Sequence, residues 1–423
     1  AAAADCGIRI VLDGVFAHTG ADSRYFNRFR HYPGCGAYNS HSSVYARWYS
    51  FAHYPDDYKC WWDFKDLPAV NAANPDWRKY MITGERSIVK TWLRDGASGW
   101  RLDVADELPD DVLRGMRSAT KETNPDSVLL GEVWEDAVTK VSYGERRQYA
   151  LGDALDSVMN YPLRDGLVTF LTGRSTAHAL ADLLLSQRLN YPQPLYYALM
   201  NLTASHDVAR TRSALALDFD PRSRTRAELA ALEITDAMAA RGAQLQVLAA
   251  AVQFWLPGIP SIYYGDETGM QGLCDPFNRA PLQMCDTQML QWYAQLTALR
   301  HAHPALTRGE VAVFAPAGDV LCVLRVIADG RDAFGEEAED EALLLIVNRA
   351  AHPVRCHVEL TCPGAGLCEE TRLAFVRSEY DCAADCTDDT HIAIRDGVGA
   401  FDLPPHAAKI YRLENRHGTE TGS

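Results

Sequence analysis

A chain of 423 residues with 47% hydrophobic and 10% aromatic content carries enough apolar mass to bury a large core, so it belongs among globular proteins. Its net charge of −15 argues against a polyanionic partner, because nucleic-acid binding needs clustered Lys and Arg against phosphates, and it favours a neutral ligand. No stretch reaches the ~18 consecutive apolar residues of a membrane span, so no membrane partner is expected.

The first residues, AAAADCG, have neither an initiator Met nor the charged-then-apolar order of a signal peptide, and read as an internal cut. Eleven cysteines, an odd number without regular spacing, point to a reducing, cytoplasmic setting. Cys356, Cys362, Cys368, Cys382 and Cys386 are separated by five, five, thirteen and three residues, which does not match the paired knuckles of a zinc site. No metal site is expected.

Taken in chain order, apolar runs ending in polar residues occur at 8–13, before Asp103, and at 128–132, 154–158, 199–203 and 260–264. These predict six strands. Helices are predicted over 77–95, 176–190 and 227–256, the last stopped by Pro257 and Gly258. Strands alternating with helices indicate a parallel sheet with crossover helices. The segment 19–75 is rich in Tyr, His, Trp, Asn and Pro without a sustained period, and reads as a loop-rich excursion. From about residue 305 the pattern turns to short alternating strands, as at 320–326, 342–348 and 407–413, predicting an antiparallel β domain over 305–416. The acidic run 329–341 reads as a solvated loop, and the tail 417–423 as disordered.

The polar residues at the strand ends are Asp13 and His18, Arg101 and Asp103, Glu132, then His206 and Asp207. In a parallel β/α barrel, function gathers at the carboxyl ends of the strands, so these segments are expected to feed one pocket. Arg101 stands two residues before Asp103; on a strand both side chains share a face, where the guanidinium can keep the carboxylate ionised. Any one of these residues alone is more often structural than catalytic.

The segments LDGVFAHTG at 12–20, GWRLDVADE at 99–107, GEVW at 131–134, NLTASHDVAR at 201–210 and GIPSIYYGDETGM at 258–270 resemble the α-amylase family, glycoside hydrolase family 13. LPAVN at 67–71, DSVMNYP at 156–162 and DPFNR at 275–279 are similar to its neopullulanase, cyclomaltodextrinase and α-glycosidase branch. The resemblance implies a retaining glycosidase acting on α-1,4-linked glucans or maltooligosaccharides, with α-1,6 bonds left open. In that mechanism Asp103 attacks the anomeric carbon and Glu132 protonates the leaving oxygen. Glu132 must then hold a proton when substrate arrives, which calls for a less polar setting. Asp207 matches the third carboxylate, His18 and His206 the sugar-binding histidines, and Asp13 the acid bracing Arg101. Trp61, Trp62 and Trp134 offer ring faces to a sugar, and Arg279 lines the entrance.

The resemblance also implies a TIM (β/α)8-type barrel, here lacking its first two strand–helix units. The 19–75 excursion follows the third strand, residues 1–304 form the partial barrel, and 305–416 a C-terminal β-sandwich. The strands near 8–13 and 260–264 would each lose a neighbour, so a chain of this extent is expected to be poorly stable by itself. Ala17 stands where calcium-binding members carry Asn, and a methyl group cannot coordinate the ion, so calcium is not expected there and no cofactor is required. A full-length parent with a front β domain is compatible with a dimer. The competing readings are a transglycosidase, in which a sugar hydroxyl takes the glycosyl-enzyme intermediate, and a non-catalytic carbohydrate- or partner-binding relative. The three carboxylates Asp103, Glu132 and Asp207 argue against the last.

Overall fold

The computed structural model describes residues 2–360, 372–375, 391–395 and 398–414. The chain divides into two compact units, residues 1–159 and 160–423. The expected boundary at 304/305 falls inside the second unit.

In the first unit four strands, β1 (Val11–Gly14), β2 (Gly99–Leu102), β3 (Val128–Gly131) and β4 (Ser157–Val158), lie parallel in that order. Their register pairs Asp13 with Arg101 and Leu102 with Gly131. The long predicted helix over 77–95 is interrupted. Pro75–Arg78 starts it under an Asn74 cap, Lys79–Thr83 widens into a π turn, and the chain extends at Gly84. Ser87 then caps a new helix, α1 (Ile88–Arg94). Between Arg101 and β3 runs α2 (Asp110–Thr123), whose buried Val112, Leu113, Met116, Ala119 and Thr120 form one helical face. Residues 19–75 hold short 3-10 turns and a small hairpin around a core of Phe26, Trp48, Tyr49 and Tyr58.

Asp156 locks the edge of this sheet. Its carboxylate accepts the Leu129 N–H at 2.9 Å and pairs with Lys121 at 3.0 Å and with Arg117. Burial pushes its pKa up, but Arg117, the Leu129 N–H and Lys121 outweigh burial and hold it below the ordinary 3.8.

The second unit pairs β5 (Met200–Leu202) with β6 (Ile259–Ser261) in parallel. Around them pack α3 (Tyr161–Leu171), α4 (Ala177–Asn190), α5 (Asp236–Trp255) and α6 (Thr287–Ala302). The predicted helix 227–256 is two helices, because the chain leaves helical geometry at Leu232 and restarts under a Thr235 cap. Every residue from Leu245 to Trp255 in α5 is buried, as its nearly all-round apolar composition requires. Of the polar exceptions, Gln253 donates through Nε2 to Asn201 O at 2.8 Å and Ser261 O at 2.7 Å, tying both strands to the helix.

Among the described residues the C-terminal strands form an eight-stranded antiparallel arrangement. In chain order they are β7 (Glu310–Ala317), β8 (Val320–Ile327), β9 (Glu341–Asn348), β10 (Val354–Glu359), β11 (Arg372–Phe375), β12 (His391–Arg395), β13 (Val398–Leu403) and β14 (Ala407–Glu414). Their spatial order is β7-β8-β9-β14-β11-β12-β13-β10. Cys322, Leu324, Leu344 and Ile346 meet Cys356, Val358, Phe401 and Leu403 in a sandwich interior. The opposite faces of β8 and β9 pack on α5 and α6 through Leu321, Val323, Leu343 and Leu345, so one core runs across residue 304. Arg325, fully buried, seals the junction by donating to Trp255 O and Leu306 O at 2.7 Å each. Cys356 lies in the sandwich interior; Cys362, Cys368, Cys382 and Cys386, and the tail 417–423, fall outside the described residues.

Among the described residues β1 has a strand neighbour on one side only, and β6 pairs with β5 alone. No described helix is long and apolar enough to cross a membrane.

Two stability predictions follow from these contacts. Alanine normally improves a helix over glycine, but a Cβ at Gly242 in α5 would lie 2.4 Å from Arg212 O, so Gly242→Ala is expected to destabilise by about 1–3 kcal/mol, read as a lower thermal midpoint. Because the folded pKa of Asp156 is depressed, its stabilisation is present above the ordinary carboxylate value and lost as pH falls through the folded one. Asp156→Asn should therefore lower stability at pH 7 and flatten its decline towards pH 3 in denaturant titrations.

Candidate active site

The parallel register explains how the first unit assembles its charges. Asp13 and Arg101 are direct partners across β1 and β2, and their side chains meet at 2.8 Å. Arg101 and Asp103 share a face two residues apart, and the same Nη1 donates to Asp103 Oδ1 at 2.8 Å. Leu102 is level with Gly131, so the next residues, Asp103 and Glu132, leave adjacent strands at the same height. Glu132 Oε2 lies 2.8 Å from Arg101 Nη2, an ion pair whose alignment does not make a hydrogen bond. One guanidinium thus holds three carboxylates. Burial opposes its charge, but Glu132, then Asp13 and Asp103, hold its pKa above the ordinary value.

The carboxylates differ in exposure: side-chain accessibility is 62% for Asp13, 22% for Asp103 and 5% for Glu132. The Glu132 setting is enclosed but rich in donors rather than apolar. Its Oε2 accepts the Val104 N–H at 2.9 Å and its Oε1 accepts the Trp134 indole N–H at 3.0 Å. Trp134, predicted as a sugar platform, presents its indole N–H to the acid because it stands two residues beyond Glu132.

Val104 is the feature that pattern reading passed over. Its φ of 41° puts a β-branched residue in the left-handed region, a conformation costing about 1–3 kcal/mol. That turn aims its N–H at Glu132 directly after Asp103 leaves the sheet.

His18 sits beside Trp61, ring centroids 5.4 Å apart, and Trp61 stacks on Trp62 and Phe64. Trp62 is 72% exposed, so this aromatic ladder has an open face. The buried His18 Nδ1 has no hydrogen-bond partner among the described residues. Burial pushes the His18 pKa below 6.5, with Asp103 and Glu107 opposing.

In the second unit His206 Nε2 lies 3.2 Å from Asp207 Oδ2, and Arg279 lies 3.7 Å from Asp207 Oδ1 while binding Asp275 at 2.6 Å. The turn carrying them follows β5. The Ser205 hydroxyl accepts the Asp207 N–H at 3.1 Å, and Asn278 donates to carbonyls of the same turn. Behind it Arg210 is fully buried against the rings of Tyr263 and Tyr264, 4.6 and 4.7 Å from their centroids. Its partner Asp266, 3.5 Å away, has its pKa pushed up to about 6 by burial, against Thr211 and Arg210. Among the described residues no group of three or more His, Cys, Asp or Glu side chains is arranged to hold a metal ion.

An NMR titration is expected to place the His18 midpoint below 6.5, and Glu107→Gln should lower it further by removing a charge that favours the imidazolium. A midpoint above 6.5 would contradict this environment.

Comparison with known proteins fits this geometry. A family model described as the α-amylase catalytic domain matches residues 1–284. An amylopullulanase of Thermoanaerobacterium thermosulfurigenes is 33% identical over 387 residues, covering 84% of this chain and 20% of that protein. A cyclomaltodextrinase of Geobacillus thermopakistaniensis (strain MAS1) is 30% identical over 356 residues, covering 81% of this chain and 52% of that protein. The chain therefore spans about half or less of these relatives. Among solved structures, the ligand-free cyclic α-maltosyl-(1→6)-maltose hydrolase of Arthrobacter globiformis superposes with a TM-score of 0.70 at 25% identity, covering 97% of this chain and 75% of that one. With two thirds of its length matched by the family's catalytic domain and its strand-end carboxylates gathered on Arg101, the chain belongs to the α-amylase family.

Proposed function

We propose that the protein is a retaining glycosidase of α-glucans, with Asp103 as nucleophile and Glu132 as general acid and base. The observation that carries this reading is that the two acids leave adjacent parallel strands at one level and contact one guanidinium. Neighbouring strands are about 4.8 Å apart, which suits the ~5–5.5 Å separation of a retaining pair better than the wider gap of an inverting one.

The chemistry divides along the difference in exposure. Asp103, more open and hydrogen-bonded to Arg101, is kept available to attack the anomeric carbon as the glycosidic bond breaks. Glu132, enclosed, gives its proton to the departing oxygen and then takes one from the water that releases the sugar. His18 and the Trp61–Trp62 ladder offer a hydrogen bond and a ring face to a pyranose, and Asp207 with His206 binds sugar hydroxyls.

The names of the relatives, amylopullulanase and cyclomaltodextrinase, support maltooligosaccharides as the substrate class. The hydrolase of a cyclic maltosyl-(1→6)-maltose supports including α-1,6 bonds. The same reading takes the six parallel strands as part of the family's eight-stranded barrel, with 19–75 as the excursion after its third strand, and requires no metal.

Maltotriose, cyclodextrin and pullulan assays test it. Glu132→Gln is expected to lower kcat by about 10²–10⁴-fold, the usual worth of a positioned acid and base, and Asp103→Asn to abolish turnover. Product first released should carry the α configuration by proton NMR. Undiminished activity in either variant, or an inverted product, sinks the assignment.

A further inference from the structure

We infer that Asn278 is a positioning residue for Asp207, an assignment that rests on the glycosidase reading and extends it to a residue that touches neither substrate nor reacting atoms. Asn278 is completely buried. Its Nδ2 lies 3.1 Å from Ser205 O, 2.9 Å from His206 O and 2.8 Å from Val208 O, so its two N–H bonds are shared among carbonyls from both sides of Asp207. The three acceptors fix the amide orientation, because the flipped form would set its oxygen against three carbonyl oxygens.

The other end of the side chain shows that packing alone does not account for the residue. Asn278 Oδ1 is buried and accepts no hydrogen bond among the described residues, a cost that an apolar side chain of similar volume would not carry. What the asparagine supplies is a donor at the convergence point of the 205–208 turn. With the peptides on both sides of Asp207 tethered there, the backbone torsions that aim its carboxylate are set by Asn278. The neighbouring Arg279 then contacts Asp207 Oδ1 directly, 3.7 Å away, so two successive residues hold the backbone and the side chain of one acid. The Ser205 hydroxyl completes the clamp by accepting the Asp207 N–H.

A double-mutant cycle on maltotriose hydrolysis tests the inference. Asn278→Ala is expected to lower kcat by about 10²-fold, as a misplaced catalytic group does, with KM little changed. In an Asp207→Asn background the same substitution should cost almost nothing further, because the group it positions has already lost its charge. Activities are compared per folded protein, judged by near-UV circular dichroism. If Asn278→Ala does not fold, Asn278→Ser, which keeps one donor, carries the same cycle with a smaller loss. Equal losses in both backgrounds, or an unchanged kcat in folded Asn278→Ala, overturn the inference and leave the glycosidase reading intact. An Asp207→Asn protein with undiminished kcat sinks the role of Asp207 and the inference with it.

Discussion

The register of three parallel strands is the constraint on which the first unit's chemistry depends. Asp13 opposite Arg101, and Leu102 opposite Gly131, place three acids and one base at the carboxyl end of the sheet. A slip of one residue between β2 and β3 would turn Glu132 to the other face and leave Arg101 without its most buried partner. The register is held from behind. Asp156 accepts the Leu129 N–H within β3, and the Glu132 N–H donates to Leu102 O, so the strand is fixed at both ends of its short span. Arg101 then follows electrostatic necessity: acids converging in a partly desolvated space repel one another whenever two of them are ionised, and the guanidinium offsets that repulsion.

The second unit shows the same economy with backbone carbonyls as the load. A helix as apolar as α5 can be buried on all sides only if its ends and its few polar groups are satisfied from outside. Arg325 takes the Trp255 carbonyl, Arg300 takes those of Phe254 and Leu256, and Gln253 reaches across to β5 and β6. Because Arg325 belongs to β8, the C-terminal sheet is part of what makes α5 a stable helix. This is why the core continues across the residue at which the sequence pattern changes from alternating helices to strands. A change in local periodicity marks a change of secondary structure, and compactness follows where side chains meet.

The strands of the two parallel sheets were legible because each is a short apolar run ended by polar or turn residues, and Val11–Gly14, Gly99–Leu102 and Ile259–Ser261 fall within or beside the predicted spans. The helices were less so. An apolar period over 77–95 does not register that Gly84 extends the chain, and the Ala- and Leu-rich composition of 227–256 hides the Thr235 cap that restarts it. At the site, residue types and spacing pointed to Asp103, Glu132 and Arg101 because their chemistry is written in their side chains. Val104 and Asn278 act through a backbone torsion and through bonds to backbone carbonyls, which no side-chain pattern records. Reading Trp134 as a ring face for a sugar did not foresee that its indole N–H also bonds Glu132.

The donors around Glu132 bear on how it can serve as an acid. The Val104 N–H and Arg101 both approach Oε2 and the Trp134 N–H donates to Oε1, so a transferable proton must share a carboxyl that is held from both oxygens. That rigidity is useful, since a proton donor acts best when the proton already points along the transfer path. Val104 ties this orientation to the proposed nucleophile: it is bonded to Asp103, and its strained left-handed backbone carries the donor that holds Glu132. Turning Val104 out of that conformation would remove one of the two contacts on Glu132 Oε2, leaving Arg101, and shift the exit of Asp103 from its strand at the same time. The two acids are therefore coupled through one peptide unit as well as through Arg101, and these contacts hold Val104 in its strained conformation.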